Sequence, residues 1–459
     1  MPGMERHDSV RRPTLLIYAL PAFALAMPTI PAYVYLPTFY AETLGLGLAA
    51  VGAVLLIARA LDVVTDPLIG IASDRLPTRW GRRKPWIVAG ALLAAGALIQ
   101  LFQPPADVGA VHLLVWSVVL YLGWTLVAVP YTAWGAELSP DYHERARITG
   151  AREAAMVLGI VAAGGLPSLM ASFGYDAQAG LAAVAWLAIA AGAPAILLLV
   201  WRVQDGPGRA GAAGPPQPPL RLSWQSLKPL LANRPFVRLL AGWFVNGLAN
   251  GLPAVLFPLY LQHALGAGTA ASGVLIMAYF VAGIAAIPGW LALSRRFGKH
   301  RVWCWAMIMA CLAFAWVPFL QPGQIAAFFV ICVVTGMALG ADLALPPAMQ
   351  ADVIDLDTLR TGQQRAGLFF ALWSMSTKLA LALSVGLAFP ALDALGFAAG
   401  GENDRQTILW LAVIYAWVPT VLKLCAIAMI WSHPMSAKRH DIVRRRLDAL
   451  AKRSLSRSA

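Results

Sequence analysis

Apolar runs long enough to cross a hydrocarbon core of about 30 Å recur along the whole chain, separated by short polar segments. The runs show neither the two-residue alternation of a barrel strand nor the single apolar stripe of a surface helix. Ala182–Val200, for example, is apolar at every position. The pattern predicts an all-α membrane protein with twelve transmembrane helices, at 14–40, 46–73, 86–103, 109–137, 147–172, 179–201, 237–262, 271–294, 302–320, 324–350, 364–392 and 406–432. The first run is too long for the apolar core of a signal peptide and lacks a convincing cleavage site, so it is expected to be the first span.

Between the spans, every second loop is basic. Arg75, Arg79, Arg82, Arg83 and Lys84 follow span 2, Arg295, Arg296, Lys299 and Arg301 follow span 8, and the outer loops hold only Arg405. Positive residues are retained on the cytoplasmic side, which places both termini there and gives the topology of a bacterial-type inner membrane protein. Gln204–Leu220, rich in Pro and Gly, cannot pack a core and divides the spans six and six. The predicted organisation is an N-terminal six-helix bundle over 1–202, a cytoplasmic linker over 203–232, a C-terminal six-helix bundle over 233–433 and a basic tail over 434–459. Trp80–Trp86 after span 2 is echoed by Phe297–Trp303 after span 8, so the two bundles read as pseudo-symmetric repeats around a midplane site that opens alternately to either side.

Composition changes this picture little. The 459 residues are 59% hydrophobic and 12% charged, against about 25% charged in an average globular domain. The net charge of +13 sits in loop clusters, which argues for membrane anchoring and against nucleic acid. Cys304, Cys311, Cys332 and Cys425 fall inside apolar runs and read as small buried residues with no disulfide or metal role. No phosphate-cradling loop, metalloprotease motif or nucleophile elbow is present, so neither an enzyme nor an ATP-driven pump is expected. An ion gradient or the substrate's own gradient must then supply the drive. No cofactor is implied beyond a transported Na+ or H+, and the expected partners are a small-molecule substrate and the bilayer around a monomer.

The informative residues are charges inside the spans, because an ionised side chain at the bilayer centre costs about 2.5–3.5 kcal/mol even on the lenient scale. Asp62 and Asp66 of span 2 are four apart, which stacks both carboxylates on one helical face. Two such anions repel unless a cation or a proton sits between them. They suggest a coupling site of hard oxygen ligands for Na+ or H+, to which Thr65 or Thr125 adds a hydroxyl. The alternative is a structural ion pair with Arg59 or Arg152. Lys378 in span 11 either snorkels to an interface or offers a charge that trades places with the incoming cation. Arg152 and Asp342 are candidate polar groups of a substrate cavity, although Asp342 fits a solvated position near the outer surface equally well. Trp124, Tyr131, Trp134 and Trp373 are candidates for lining a pocket, although the seventeen tryptophans of a membrane protein are mostly packing and interface anchors and each of these residues is expected first as structural. Asp74, Arg75, Arg82 and Arg83 are expected to cap and pair helix ends at a cytoplasmic gate.

The segments Ala58–Gly70, Trp80–Trp86 and Ala351–Asp355 ahead of Lys378 resemble, in that order and over nearly the whole chain, the glycoside-pentoside-hexuronide:cation symporters of the major facilitator superfamily. The resemblance implies cation:solute symport of a sugar or glycoside-like substrate. It implies Asp62 and Asp66 as cation-site carboxylates, Thr125 as the hydroxyl on helix 4, Arg152 as a cavity arginine and Lys378 as the helix 11 lysine. Two departures bear on substrate and ion. Ala26 and Ala128 stand where the sugar-binding carboxylates of the family are expected, and Thr65 stands where the family has an asparagine beside the second acid, which favours protons over sodium. Relatives of this family also carry lysolipids, so a transporter of an amphiphile is a second expectation. A membrane sensor without transport, using the basic tail from Lys438 to Arg457, is the alternative of another class.

Overall fold

A computed structural model describes residues 10–75, 80–105, 107–138, 142–203, 230, 232–361, 366–398, 401–434, 439, 442–443 and 445–446. The Pro/Gly-rich segment 204–229 and most of the basic tail lie outside the described residues. Regular structure among the described residues is helical. Twelve helices are long and apolar enough to cross a membrane: α1 (Arg12–Thr43), α2 (Leu48–Gly70, helical on to Arg75), α3 (Lys84–Phe102), α4 (Ala110–Gly135), α5 (Arg147–Ser172), α6 (Ala177–Arg202), α7 (Arg234–Ala264), α8 (Ala271–Phe297), α9 (Lys299–Phe319), α10 (Ile325–Thr361), α11 (Leu368–Ala394) and α12 (Arg405–Ile430). The boundaries follow the hydropathy closely except in α10, which continues to Thr361 where the apolar pattern stops near 350. The added turns carry Asp352, Asp355 and Asp357, and Asp352, Val353 and Asp357 are nevertheless buried. They form a helical extension beyond the apolar span, to which a hydropathy scan is blind.

Proline shapes three of the spans. Pro31 and Pro37 in α1, Pro253 and Pro258 in α7, and Pro419 in α12 each lack the N–H that the carbonyl four residues earlier requires. The same helices contain the wide turns Pro31–Tyr35 and Phe39–Thr43, Tyr260–Ala264, and Val413–Trp417. Such wide turns are a usual way for a helix to absorb a lost backbone bond.

The chain packs as two units, residues 1–217 with 268–274 and 385–403 in one, and the remainder in the other. In the first, α1 packs on α5 and α6, and α4 on α2 and α3. Its core includes Tyr18, Ile87, Val127, Trp134 and Leu199, all buried. α3 and α4 approach closely because Gly90 faces Gly123: a Cβ on Gly90 would lie 2.7 Å from the Gly123 carbonyl oxygen. Small residues permit such crossings where lipid supplies no hydrophobic drive between helices. In the second unit α12 packs on α7 and α9, and α10 on α9 and α7, around Phe236, Trp303, Met307, Leu345, Phe369 and Ile430. Leu92, Val111, Leu197 and Val330 are exposed large apolar side chains, as a lipid-facing surface requires. Cys304, Cys311 and Cys332 are buried as expected, but Cys425 is exposed on α12.

Candidate functional site

α2 presents Asp62 and Asp66 one turn apart, and both meet one hydroxyl. Thr125 of α4, itself buried, places Oγ1 3.0 Å from Asp62 Oδ1 and 2.8 Å from Asp66 Oδ1. These are hydrogen-bond lengths, but a threonine has a single hydroxyl hydrogen. It serves one carboxylate at a time. The second close approach is favourable when the other acid brings its own proton, or when a cation shares the three oxygens. Thr65, one residue before Asp66, turns its hydroxyl to the Asp62 carbonyl oxygen of its own helix at 3.0 Å. Its donor is therefore committed to backbone, and the structure brings Thr125 to the acids rather than the Thr65 hydroxyl.

The site also contains a resident cation. Arg59, one turn before Asp62, donates from Nη1 to Asp62 Oδ2 at 3.3 Å, and both side chains are almost fully buried. The guanidinium lies over the rings of Tyr33 of α1, at 4.4 Å, and Tyr121 of α4, at 3.8 Å. Two aromatic faces hold the charge by its attraction to the ring quadrupole and shield it from lipid. The ion pair expected as an alternative to a coupling site thus exists for Asp62, with Arg59 and not Arg152 as its partner, and it coexists with the threonine contact. Tyr33 and Tyr121 carried no signal in the sequence, because only the folded helices bring them to Arg59.

Arg152 of α5 is half-buried and bonds Thr132 Oγ1 at 2.9 Å and the neighbouring Glu153 carboxylate. Glu153 is a further acid within a span, one that the search for isolated charges passed over. Tyr131 is buried, stacked on Tyr18 with ring centroids 4.7 Å apart, and its hydroxyl donates to the Tyr18 carbonyl. Trp134 is fully buried beside it in the core of the first unit, and Trp124 is half-buried on α4. At the end of α2, the side chains of Asp74 and Arg75 lie outside the described residues. Arg83 is buried and bonds Ser73 Oγ at 3.2 Å, and Arg82 is half-buried.

The second unit holds a polar network that joins four helices. Asp342 of α10 is 5% exposed, which decides against a solvated outer position. Its carboxylate accepts from Trp303 Nε1 of α9 at 2.5 Å and from Asn250 Nδ2 of α7 at 2.8 Å. Lys423 of α12 lies 4.0 Å from it and donates to Asn246 Oδ1 at 2.8 Å and Asn250 Oδ1 at 2.7 Å. Lys423 falls within the span predicted over 406–432, where hydropathy alone gives it no partner. Trp373 of α11 is buried and stacked on Trp243 at 4.6 Å, and Trp243 Nε1 donates to Thr377 Oγ1 beside the half-buried Lys378. Lys299, at the start of α9, bonds both carboxylate oxygens of Asp352 at 2.7 Å. The echo of Trp80–Trp86 in Phe297–Trp303 marked this end of α9 without identifying its acid partner.

The model of the family of MFS/sugar transport proteins matches residues 17–437. The chain is similar to the glucuronide carrier protein homolog of Escherichia coli K12, 25% identical over 91% of this chain and 90% of that one. It is also similar to the human sodium-dependent lysophosphatidylcholine symporter 1, 26% identical over 86% of this chain and 78% of that one. Among solved structures it superposes on the D-xylose-proton symporter with a TM-score of 0.67 and 14% identity, covering 93% of this chain and 98% of that one.

Proposed function

Because the chain belongs to the family of MFS/sugar transport proteins, a transporter fold with twelve membrane-length helices, we propose that it is a symporter that couples a proton to the uptake of a small glycoside-like solute. The observation that carries the choice of ion is the single Thr125 hydroxyl within hydrogen-bond distance of two carboxylates. One arrangement satisfies every contact: a protonated Asp66 donates to Thr125 Oγ1, Thr125 donates to Asp62, and Asp62 remains ionised against Arg59. Loss of the Asp66 proton sets two anions against the one Thr125 hydrogen, and their repulsion supplies a reason for the protein to change conformation. Lys378 of α11 is the proposed counter-charge of the cycle, and Arg82 and Arg83 belong to a proposed gate at the end of α2. The inner membrane of a bacterial cell is the proposed location.

The same three oxygens are hard ligands suited to Na+, and a sodium-dependent relative supports that second reading for the ion. For the substrate, the second reading is a lysolipid. It is favoured by Ala26 and Ala128, apolar at positions where the family resemblance leads one to expect sugar-binding acids. Uptake by proteoliposomes under an imposed proton or sodium gradient, with a panel of glucuronides, xylosides and lysophosphatidylcholine, tests both choices. Accumulation of a glycoside that follows the proton gradient and ignores sodium is the expected result. Accumulation driven by sodium at fixed pH overturns the proton assignment.

A further inference from the structure

The network around Asp342 sets donors against the acid and acceptors against the lysine. The carboxylate meets only donors, the Trp303 indole, the Asn250 amide and the Lys423 ammonium, and the ammonium meets only acceptors, Asn246 Oδ1, Asn250 Oδ1 and the carboxylate. The other titratable groups near the pair are the Tyr279 phenol from α8 on the side of Asp342 and the Cys311 thiol from α9 on the side of Lys423. Neither is a charged group at ordinary pH. A proton added to Asp342 would strand Lys423 as an uncompensated cation in a low-dielectric interior, and removal of one from Lys423 would strand the acid.

The network sits where its two long helices are weakest. Pro346 has no N–H for the carbonyl of Asp342, four residues earlier, and Pro253 has none for the carbonyl of Ala249, beside Asn250. Consecutive spans alternate in direction, so α7 and α10 run oppositely. Pro253 and Pro258 lie beyond Asn250 towards one membrane face, and Pro346 and Pro347 lie beyond Asp342 towards the other. Each far end has its own contact. Tyr260 at the end of α7 donates to the Val317 carbonyl at 2.9 Å and stacks on Tyr415 at 4.4 Å, and Asp352 near the end of α10 is held by Lys299. On the premise that the protein is a transporter, we propose that Asn250, Asp342 and Lys423 are positioning residues of the transport cycle, forming a hydrogen-bonded pivot. The pivot ties α7 to α10 in mid-bundle while their proline-weakened far ends bend in turn, one at each face of the membrane. Charged hydrogen bonds are stronger than neutral ones, which suits a joint that must hold while the helix ends move.

The first test, cross-protection between two thiols, needs no substrate. In a chain with Cys425 replaced by Ala, Ala264→Cys at the end of α7 and Val353→Cys in α10 place thiols at two buried positions on either side of the pivot. Alkylating Ala264→Cys with a bulky maleimide traps that end open. The Val353→Cys thiol should then react about tenfold more slowly, within the usual range of coupling between sites. In Asn250→Ala, which removes the bridge between the two charges, the two thiols should react independently. Absence of cross-protection in the parent, or its persistence in Asn250→Ala, overturns the pivot. If Asn250→Ala does not fold, Asp342→Asn combined with Lys423→Gln removes both charges without leaving either unpaired and is scored the same way. The pH profile of uptake separates the pivot from the coupling site: in either variant the rate falls while the pH midpoint stays where it was. A shifted midpoint would place Asp342 among the proton-coupling groups and end the proposal.

Discussion

Each unit of the molecule buries a carboxylate against a basic side chain within its span helices, Asp62 with Arg59 and Asp342 with Lys423, and the two arrangements differ in their partners. Asp62 and Asp66 in the first unit share the single hydrogen of Thr125, which serves one of them at a time. Asp342 and Lys423 in the second unit are bridged by Asn250, whose amide donates to the acid and accepts from the lysine. There the Asn250 bridge joins acid to base directly, although the Asn246 amide nitrogen of the same network is buried without a hydrogen-bond partner. A buried charge is costly in either place, but only the first arrangement gives a reason for an ion to come and go. The aromatic surroundings follow the same division. Tyr33 and Tyr121 enclose Arg59 by their faces, whereas Trp303 donates directly into the Asp342 carboxylate.

This contrast breaks most readily at the fixed pair. Asp342→Asn leaves Lys423 buried without its anion, and such a change costs about 3–5 kcal/mol. A thermal melt of the detergent-solubilised protein should show the largest drop of any single substitution discussed here. Adding Lys423→Gln should recover most of it. If Asp342→Asn melts like the parent, the pair is not electrostatically committed and the contrast between the two units fails.

At the coupling site the neutralised acid should behave in the opposite way. Asp66→Asn removes one of two repelling anions, so stability should hold or rise. Gradient-driven accumulation should disappear, because 100 mV contributes about 2.3 kcal/mol per charge, roughly a 50-fold concentration ratio, only when the ion is bound. Substrate exchange between two equally loaded sides should survive. Asp66→Asn accumulating substrate as well as the parent would hand the site to the structural ion-pair interpretation.

Thr125 allows a finer division. Thr125→Ser keeps the hydroxyl and should keep coupling, whereas Thr125→Val removes a hydrogen bond to charge worth about 1.5–3 kcal/mol. The valine variant should show a shifted pH midpoint of uptake and at least a tenfold weaker response to the gradient. Equal pH profiles for the serine and valine variants would mean that the hydroxyl is not the link between the two acids.

The unequal legibility of the two sites has a geometric cause. Asp62 and Asp66 announce themselves because a four-residue spacing fixes their common face without knowledge of the tertiary fold, and Thr125 needed only one helix crossing to reach them. The fixed pair draws on residues 246, 250, 303, 342 and 423 from four helices, and nothing in the hydropathy of α12 sets the rotation that turns Lys423 inwards. The twelve spans were readable because lipid demands length and apolarity. The helical extension of α10 was not, since it lies beyond the apolar stretch. The internal repeat was only partly readable. Besides the loop echo, Pro37–Gly45 at the end of α1 and Pro258–Gly266 at the end of α7 correspond. Both close with a wide turn and a glycine at positive φ, 70° in Gly45 and 64° in Gly266. Weak identity between the segments hides this until the shared backbone is seen.

The smallest expected effect guards the pH experiments against a misassignment. His433 lies just past α12, buried, with Nε2 3.1 Å from the Pro235 carbonyl oxygen. Burial, opposed in part by that hydrogen bond, lowers its pKa from 6.5 to about 4. The folded protein therefore resists a proton that the unfolded chain accepts readily. The sign follows: above pH 6.5 neither state is protonated and nothing is lost, whereas as the pH falls from 6.5 towards 4 the unfolded state is favoured progressively. The loss should reach about 1 kcal/mol by pH 6 and continue down to about pH 4. His433→Gln should flatten this slope in a melting curve taken from pH 7.5 to 5, while the pH dependence of uptake stays with Asp66. Were the acid slope of stability unchanged in His433→Gln and abolished in Asp342→Asn with Lys423→Gln, the titrating group would lie in the pair assigned here a fixed charge, and the two units would be alike where they are held to differ.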